Sequence, residues 1–228
     1  MAEEKVWFEP GPNSWAREGS AGRTKVELLP YLQPWLTGAA TGATTAKPKT
    51  ILEVASGFGE HSAYYAENTP ATTFQPTEAQ EPCIDGIAKL AAEAPHKNIL
   101  PPLKLNVLSS PQWKVVADES GPFDGVFVMN MLHISPWEST VKFFEESGKL
   151  LKGTPGAFVA VYGAFKRDGK FTGEGDRLFD LDLKRRDERW GIRDLESEVV
   201  PEAKKSGFAL KELHSMNYNN WFIVWTIE

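Results

Sequence analysis

The chain has 228 residues and a single cysteine, Cys83. That length suits one compact domain with a sizeable core, and a lone thiol excludes an intramolecular disulfide, which points to a reducing, cytoplasmic setting. The formal net charge is −6, with 25 Lys and Arg against 31 Asp and Glu, so nucleic acid, whose phosphates select basic faces, is not the expected partner.

The nearest basic run, Lys184-Arg185-Arg186, is interleaved with Asp180, Asp182, Asp187 and Glu188 and reads as a solvated helix face. No window approaches the ~18 consecutive apolar residues of a membrane span, and the acidic start lacks the pattern of a secretory leader. Small-molecule chemistry is the expectation, and no feature sets an oligomeric state.

In chain order, residues 1–22 read as an irregular arm holding Trp7, Phe8 and Trp15. Residues 24–36 carry Val26, Leu28, Leu29, Leu32 and Leu36 at helical spacing, but Pro30 and Pro34 predict a kinked or broken helix. A loop of small residues follows. Strands are expected at 50–55, 72–76, 103–107, 123–129 and 157–162, with helices at 60–67, 84–94 and 137–151. Strands alternating with helices of ~10–15 residues predict parallel β–α–β units, and right-handed crossovers make them a Rossmann-like, doubly wound α/β sheet.

Residues 163–193 are charged and dotted with glycine, too long for a simple connection, and read as a lid or substrate insertion with a helix inside 176–189. A helix over 194–206 is expected to end at Gly207. Residues 208–213 and 220–227 close the chain as strands, giving a mostly parallel sheet of seven strands with an antiparallel edge strand, in one domain spanning 1–228.

The segment after the first strand is Glu53-Val54-Ala55-Ser56-Gly57-Phe58-Gly59. A strand, a tight glycine turn and a helix start let backbone approach a nucleotide-like ligand closely. The lysine of a phosphate-binding loop is missing. Ala55, Gly57 and Gly59 instead occupy the three glycine positions of the methyltransferase pattern E-x-G-x-G-x-G. Glu78, nineteen positions after Gly59 and past the second strand, is placed to accept hydrogen bonds from both hydroxyls of a ribose. Asn106, at the end of the third strand, suits an adenine edge or a strand-end turn.

Three further strings carry a resemblance: Phe123-Asp124-Gly125-Val126-Phe127-Val128-Met129-Asn130-Met131-Leu132-His133, Tyr162-Gly163-Ala164-Phe165-Lys166-Arg167-Asp168-Gly169, and Trp190-Gly191-Ile192-Arg193-Asp194. They resemble the class I S-adenosylmethionine (SAM)-dependent methyltransferase-like family that includes methyltransferase-like protein 26. The resemblance implies a class I SAM-binding fold and leaves the substrate unnamed. It places the cofactor on Arg23, Glu53, Ala55, Gly57, Gly59, Glu78, Asn106, Val107, Asn130 and Met131. Two departures stand out: the family begins its loop with glycine where this chain has Ala55, and carries aspartate at the positions of Glu78 and Asn106.

Methyl transfer needs in-line placement of the acceptor, with a base only where the acceptor must lose a proton. In the loop after the fourth strand, His133 is the candidate base, because an imidazole suits proton transfer near neutrality. A cap on the following helix is its structural alternative. Trp137, Tyr162, Phe165, Lys166 and Arg193 are candidates for the acceptor pocket. The four histidines are dispersed, so no metal site is expected. A methyltransferase acting on O or N of a small molecule is the leading expectation. A methyltransferase fold recruited for a cyclase or isomerase reaction, or a non-catalytic complex partner, are the rivals.

Overall fold

The computed structural model describes residues 18–42 and 48–227. Trp7, Phe8, Trp15 and most of the expected arm lie outside the described residues. Helix α1 (Thr24–Thr37) precedes strand β1 (Thr50–Val54), followed by α2 (Glu60–Asn68), β2 (Thr73–Glu78), α3 (Glu81–Glu93), β3 (Leu103–Lys104) and α4 (Ser110–Ser120). Then come β4 (Gly125–Met129), α5 (Trp137–Leu151), β5 (Phe158–Lys166), α6 (Glu174–Arg186), β6 (Arg193–Asp194), α7 (Val200–Lys205), β7 (Phe208–Ser215) and β8 (Asn220–Ile227).

The strands form one mixed sheet in the order β3-β2-β1-β4-β5-β8-β7, and the two-residue β6 pairs with β5 off that row. β1 pairs in parallel with both β2 and β4, so the chain reverses its direction of travel across the sheet between them. The sheet thus has seven strands in its row and eight in all. The antiparallel strand is β8, which lies between β5 and β7, one place in from the edge. Burial explains the order. β8 buries Phe222, Ile223, Val224 and Trp225 in succession and needs cover on both faces, whereas β7 leaves Leu210 and Lys211 exposed and suits an edge.

Alternate strand residues feed two cores. Leu52, Val54, Val126, Val128, Val159 and Val161 pack on one face with Trp113 of α4 and Phe143 and Phe144 of α5. Ile51, Phe74, Phe127, Phe158 and Ala160 pack on the other with Leu28, Leu32 and Trp35 of α1 and Tyr65 of α2. Each strand is apolar on both sides because helices cover both.

Four local differences from the expected elements have physical reasons. α1 runs unbroken through Pro30 and Pro34 because Leu28, Leu32, Trp35 and Leu36 anchor one face, while Pro30 and Val26 sit outside, where freed carbonyls meet water. α4 was not expected, since it buries only Trp113 and Val116; Ser109 followed by Pro111 in its first turn is the signal that marks it. β5 continues to Lys166, so the insertion begins beyond residue 166. The expected helix over 194–206 is instead the end of the two-residue β6, a π-helical turn at Leu195–Val199 whose start is held by Asp194 accepting from Ser197 N–H, and the short α7. Among the described residues no helix is long and apolar enough to cross a membrane.

Candidate functional site

A cavity of about 460 Å³ opens at the carboxyl ends of β1, β2 and β4. Its size falls within the ~300–1,000 Å³ of small-molecule sites, and its place is the point where strand order reverses, where open α/β sheets bind ligands.

One half of the cavity is built from backbone. Ala55, Gly57 and Gly59 take left-handed φ values of 55°, 57° and 76°. The region is open to glycine and costs an alanine about 1–2 kcal/mol. The Ala55 residue packs against the core that holds Val54 and Val128, and the cavity stays open beside it. β2 ties the loop down: Ser56 N–H donates to Thr77 O at 2.9 Å, and Thr77 N–H donates to Ser56 Oγ at 3.1 Å.

Glu78, at the end of β2, accepts from the amides of Gly57 at 2.8 Å, Ala79 at 2.7 Å and Gln80 at 3.2 Å. Burial pushes its pKa up, and the three amide donors oppose that rise. A carboxylate offers about four acceptor positions. Three are filled from the backbone, so one remains for a ligand hydroxyl. Asn106 Oδ1 accepts from Leu108 N–H at 3.0 Å in a local turn, and its amide nitrogen donates to no described residue. Asn106 and Val107 both line the cavity, as do Asn130 and Met131.

Three residues expected in this cradle lie off its wall. Glu53 sits behind the loop, where its carboxylate accepts from Ser62 Oγ and burial pushes its pKa up to about 8. It joins β1 to α2 as a neutral acid, because a charge there would be dry. Gly59 heads α2 against Ile87, whose Cγ1 would lie 3.0 Å from an added Cβ. The Arg23 guanidinium turns outward, donating to Tyr218 Oη at 2.9 Å and lying 4.9 Å from the centre of its ring.

A strap across this half comes from the end of the N-terminal arm, through residues that sequence reasoning did not single out. The Glu60 carboxylate, at the start of α2, accepts from the amides of Gly19 and Ala21, and Ser20, Ala21 and Thr24 thereby join the wall. His61 joins them, its Nε2 3.1 Å from Thr24 Oγ1, with a pKa lowered to about 4 by burial and by Lys25. An acidic residue in the first helical turn was the available signal; its partner forty residues away was not legible.

The other half is walled by side chains. Asn130 takes φ 59° and donates its N–H to Tyr162 O at 2.8 Å, turning the chain into a short 3₁₀ segment, Leu132–Ile134. His133 in that segment lines the cavity and is buried. Its ring meets Phe179 of α6 edge-on, 5.4 Å between centres, and an added Cβ at Gly163 of β5 would lie 3.1 Å from its Nδ1. Burial, reinforced by Arg193, lowers its pKa to about 4, so the imidazole is neutral near pH 7.

The five residues expected in the acceptor pocket are not on its wall. Phe165 belongs to the core, and the Tyr162 ring does too, with its hydroxyl bonded to Asn220 and pushed up to about 12 by burial. Trp137 packs against the same core as Phe165. Lys166 lies over the Phe171 ring at 4.8 Å. Arg193 donates from Nη2 to Ser135 O at 2.6 Å and Arg189 O at 3.0 Å, and from Nε to Leu132 O at 3.4 Å, clamping the His133 segment. The wall is made instead by Ile134, Pro136, Ser139, Phe179, Trp190 and Asn220. Phe179 and Trp190 come from within the expected insertion, which therefore does reach the site. Among the described residues no group of three His, Cys, Asp or Glu side chains is placed to hold a metal ion.

The strand order, the reversal between β1 and β4 and the antiparallel β8 define the class I methyltransferase fold. The chain belongs to the family described as protein of unknown function DUF938, whose model matches residues 36–227.

Solved structures share the fold. An O-methyltransferase family protein from Burkholderia thailandensis superposes with a TM-score of 0.67 at 16% identity, covering 90% of this chain and 58% of its own. A pericyclic reaction enzyme superposes at 0.65 with 11% identity, covering 86% and 47%. LepI in complex with SAM superposes at 0.64 with 12% identity, covering 84% and 46%. The chain thus spans roughly half of the length of these proteins, and at such identities the likeness speaks for the fold.

Proposed function

We propose that the protein is a SAM-dependent methyltransferase that transfers a methyl group to oxygen or nitrogen of a small organic molecule. The observation that carries the reading is the Glu78 carboxylate at the mouth of the β1 loop, tied to Gly57 N–H with one acceptor position left beside the cavity. SAM, when bound, supplies an electrophilic methyl group. Glu78 would hold one ribose hydroxyl through its open acceptor position, Asn106 and Val107 the base, and the backbone at Ala55, Gly57, Asn130 and Met131 the remainder.

The residues present fit that group, because the cavity runs unbroken along all of them. Glu53 and Gly59 support the loop from behind. Neutral His133, its pKa lowered to about 4, would accept a hydrogen bond from the O–H or N–H of the methyl acceptor and orient it; so weak a base takes the proton only once that group turns acidic as the methyl is transferred. The likeness of the three strings to methyltransferase-like protein 26 and its relatives supports the same activity. The single buried Cys83 fits a reducing, cytoplasmic setting.

Calorimetric titration of SAM and S-adenosylhomocysteine into wild type and Glu78→Ala tests the reading. Binding in the micromolar range, weakened by about 1.5–3 kcal/mol in the variant through the lost charged hydrogen bonds, is expected. A flat titration of both ligands at millimolar concentration would overturn it. The fold shared with a pericyclic reaction enzyme gives a second reading weight. SAM bound but unconsumed while substrate turns over would establish that one.

A further inference from the structure

The cavity is chemically divided. The carboxylates on its wall, Glu60 and Glu78, stand in the half built by β1, β2 and the strap. The half around His133 has no Lys, Arg, Asp or Glu on its wall. The nearest cations are committed elsewhere: Arg193 to three main-chain carbonyls, and Lys166 to the Phe171 ring.

Here the lining is Ile134 and Pro136, the rings of Phe179, Trp190 and His133, and the small polar groups of Asn130, Ser139 and Asn220. A ligand charge in such a place would be desolvated without a partner, which costs several kcal/mol. Aromatic walls favour a flat π ligand, which can stack or meet them edge-on. The polar groups left are those that orient one hydroxyl or amine.

We infer that the acceptor is an uncharged, planar aromatic molecule bearing a hydroxyl or amino group, seated against the wall that His133, Phe179 and Trp190 form together. The inference rests on the methyltransferase reading for the word acceptor, while the aromatic site itself stands on the wall alone. The two segments that make the site are locked together. Gly191 N–H donates to His133 O at 3.1 Å, and Arg193 grips the carbonyls of Leu132 and Ser135. The ring wall and the histidine are therefore held at a common spacing rather than left to two independent loops.

The test uses the full chain without cofactor and three probes on the same fused two-ring frame: 1-naphthol, its saturated analogue decahydro-1-naphthol, and 1-naphthoate. Binding is read by ligand-observed NMR and calorimetry. Wild type is expected to bind 1-naphthol roughly three- to tenfold more tightly than the saturated alcohol, the worth of an aromatic pair, and at least about tenfold more tightly than the carboxylate.

Phe179→Leu keeps the bulk and removes the ring, so it should abolish the preference for the aromatic alcohol. Trp190→Phe should retain it, and a thermal melt checks that each variant folds. The inference is overturned if 1-naphthol fails to bind at millimolar concentration, if the carboxylate binds as well, or if the preference survives Phe179→Leu. Failure of the cofactor reading shows separately, as a flat S-adenosylhomocysteine titration with the 1-naphthol result unchanged.

Discussion

The two halves of the cavity are made of different material. The half around the β1 loop is centred on backbone: the left-handed residues Ala55 and Gly57, a row of amides and the Glu78 carboxylate that gathers them. The half around His133 is side chain, drawn from the segment after β4, the start of α5, α6, the segment leading into β6 and the start of β8. Backbone cradles are specified locally, by residues that tolerate positive φ. Side-chain walls are specified by what meets across the fold.

The strongest way to break this contrast is through Glu53, which supports the backbone half from below. Its pKa is raised by burial from 4.5 to about 8, so the stability tied to its neutral form is fully present below pH 4.5 and is lost as pH rises through 8. His61 and His133, lowered by burial to about 4 from 6.5, weaken the fold only as pH falls below 6.5. Between pH 6.5 and 8 Glu53 contributes a slope approaching about 1.4 kcal/mol per pH unit, and Glu78, also raised by burial, acts in the same direction. Urea denaturation of Glu53→Gln across that window should show a slope shallower by about that amount; an unchanged slope would mean the Glu53 carboxyl is already ionised.

Next in size is Arg193→Met, which keeps the stem and removes the clamp on Leu132, Ser135 and Arg189. A loss of about 2 kcal/mol in urea unfolding is expected, the worth of charged hydrogen bonds left unmade. Affinity for S-adenosylhomocysteine should hold within about twofold, since the other half does not use the clamp. Smaller again is Gly163→Ala. Its methyl group would sit 3.1 Å from His133 Nδ1 and push the ring, so turnover should fall about tenfold while S-adenosylhomocysteine affinity again holds. A variant losing both equally would erase the division between the halves.

The smallest effect is expected at Ala55→Gly. Relief of left-handed strain, about 1–2 kcal/mol, is largely offset by glycine's greater freedom in the unfolded chain, about 0.5–1 kcal/mol. A gain below about 1 kcal/mol in thermal or urea unfolding, with cofactor affinity little changed, fits an alanine that the loop already accommodates. A large rise in affinity would show instead that the methyl group obstructs the cradle.

Several residues mark how far the sequence could be read. The alternation of Val126, Phe127 and Val128, or of Phe158, Val159 and Ala160, announced strands covered on both faces, and the structure buries them so. Gly57 and Glu78 were legible because few residue types satisfy a tight left-handed turn or a charged end to a buried strand. Glu53 misled, because an acidic residue before a glycine loop gives no sign of which way its side chain faces. Tyr162, Phe165 and Arg193 misled in another way: Tyr162 and Phe165 lie in the core and Arg193 binds main-chain carbonyls, while the wall is made by Phe179 and Trp190 elsewhere in the expected insertion.

By itself, the sequence determined the doubly wound α/β class, the place of the glycine turn after β1 and the position of His133 after the fourth strand. These depend on periodicity and on backbone conformations that act over a few residues. The tertiary structure alone decided that β8 enters the sheet between β5 and β7, that residues 18–24 strap the cavity through Glu60, and that Phe179 and Trp190 form its far wall. Those outcomes turn on contacts between segments tens of residues apart, where burial and hydrogen-bond satisfaction are settled by the whole packed core and leave no local pattern to read.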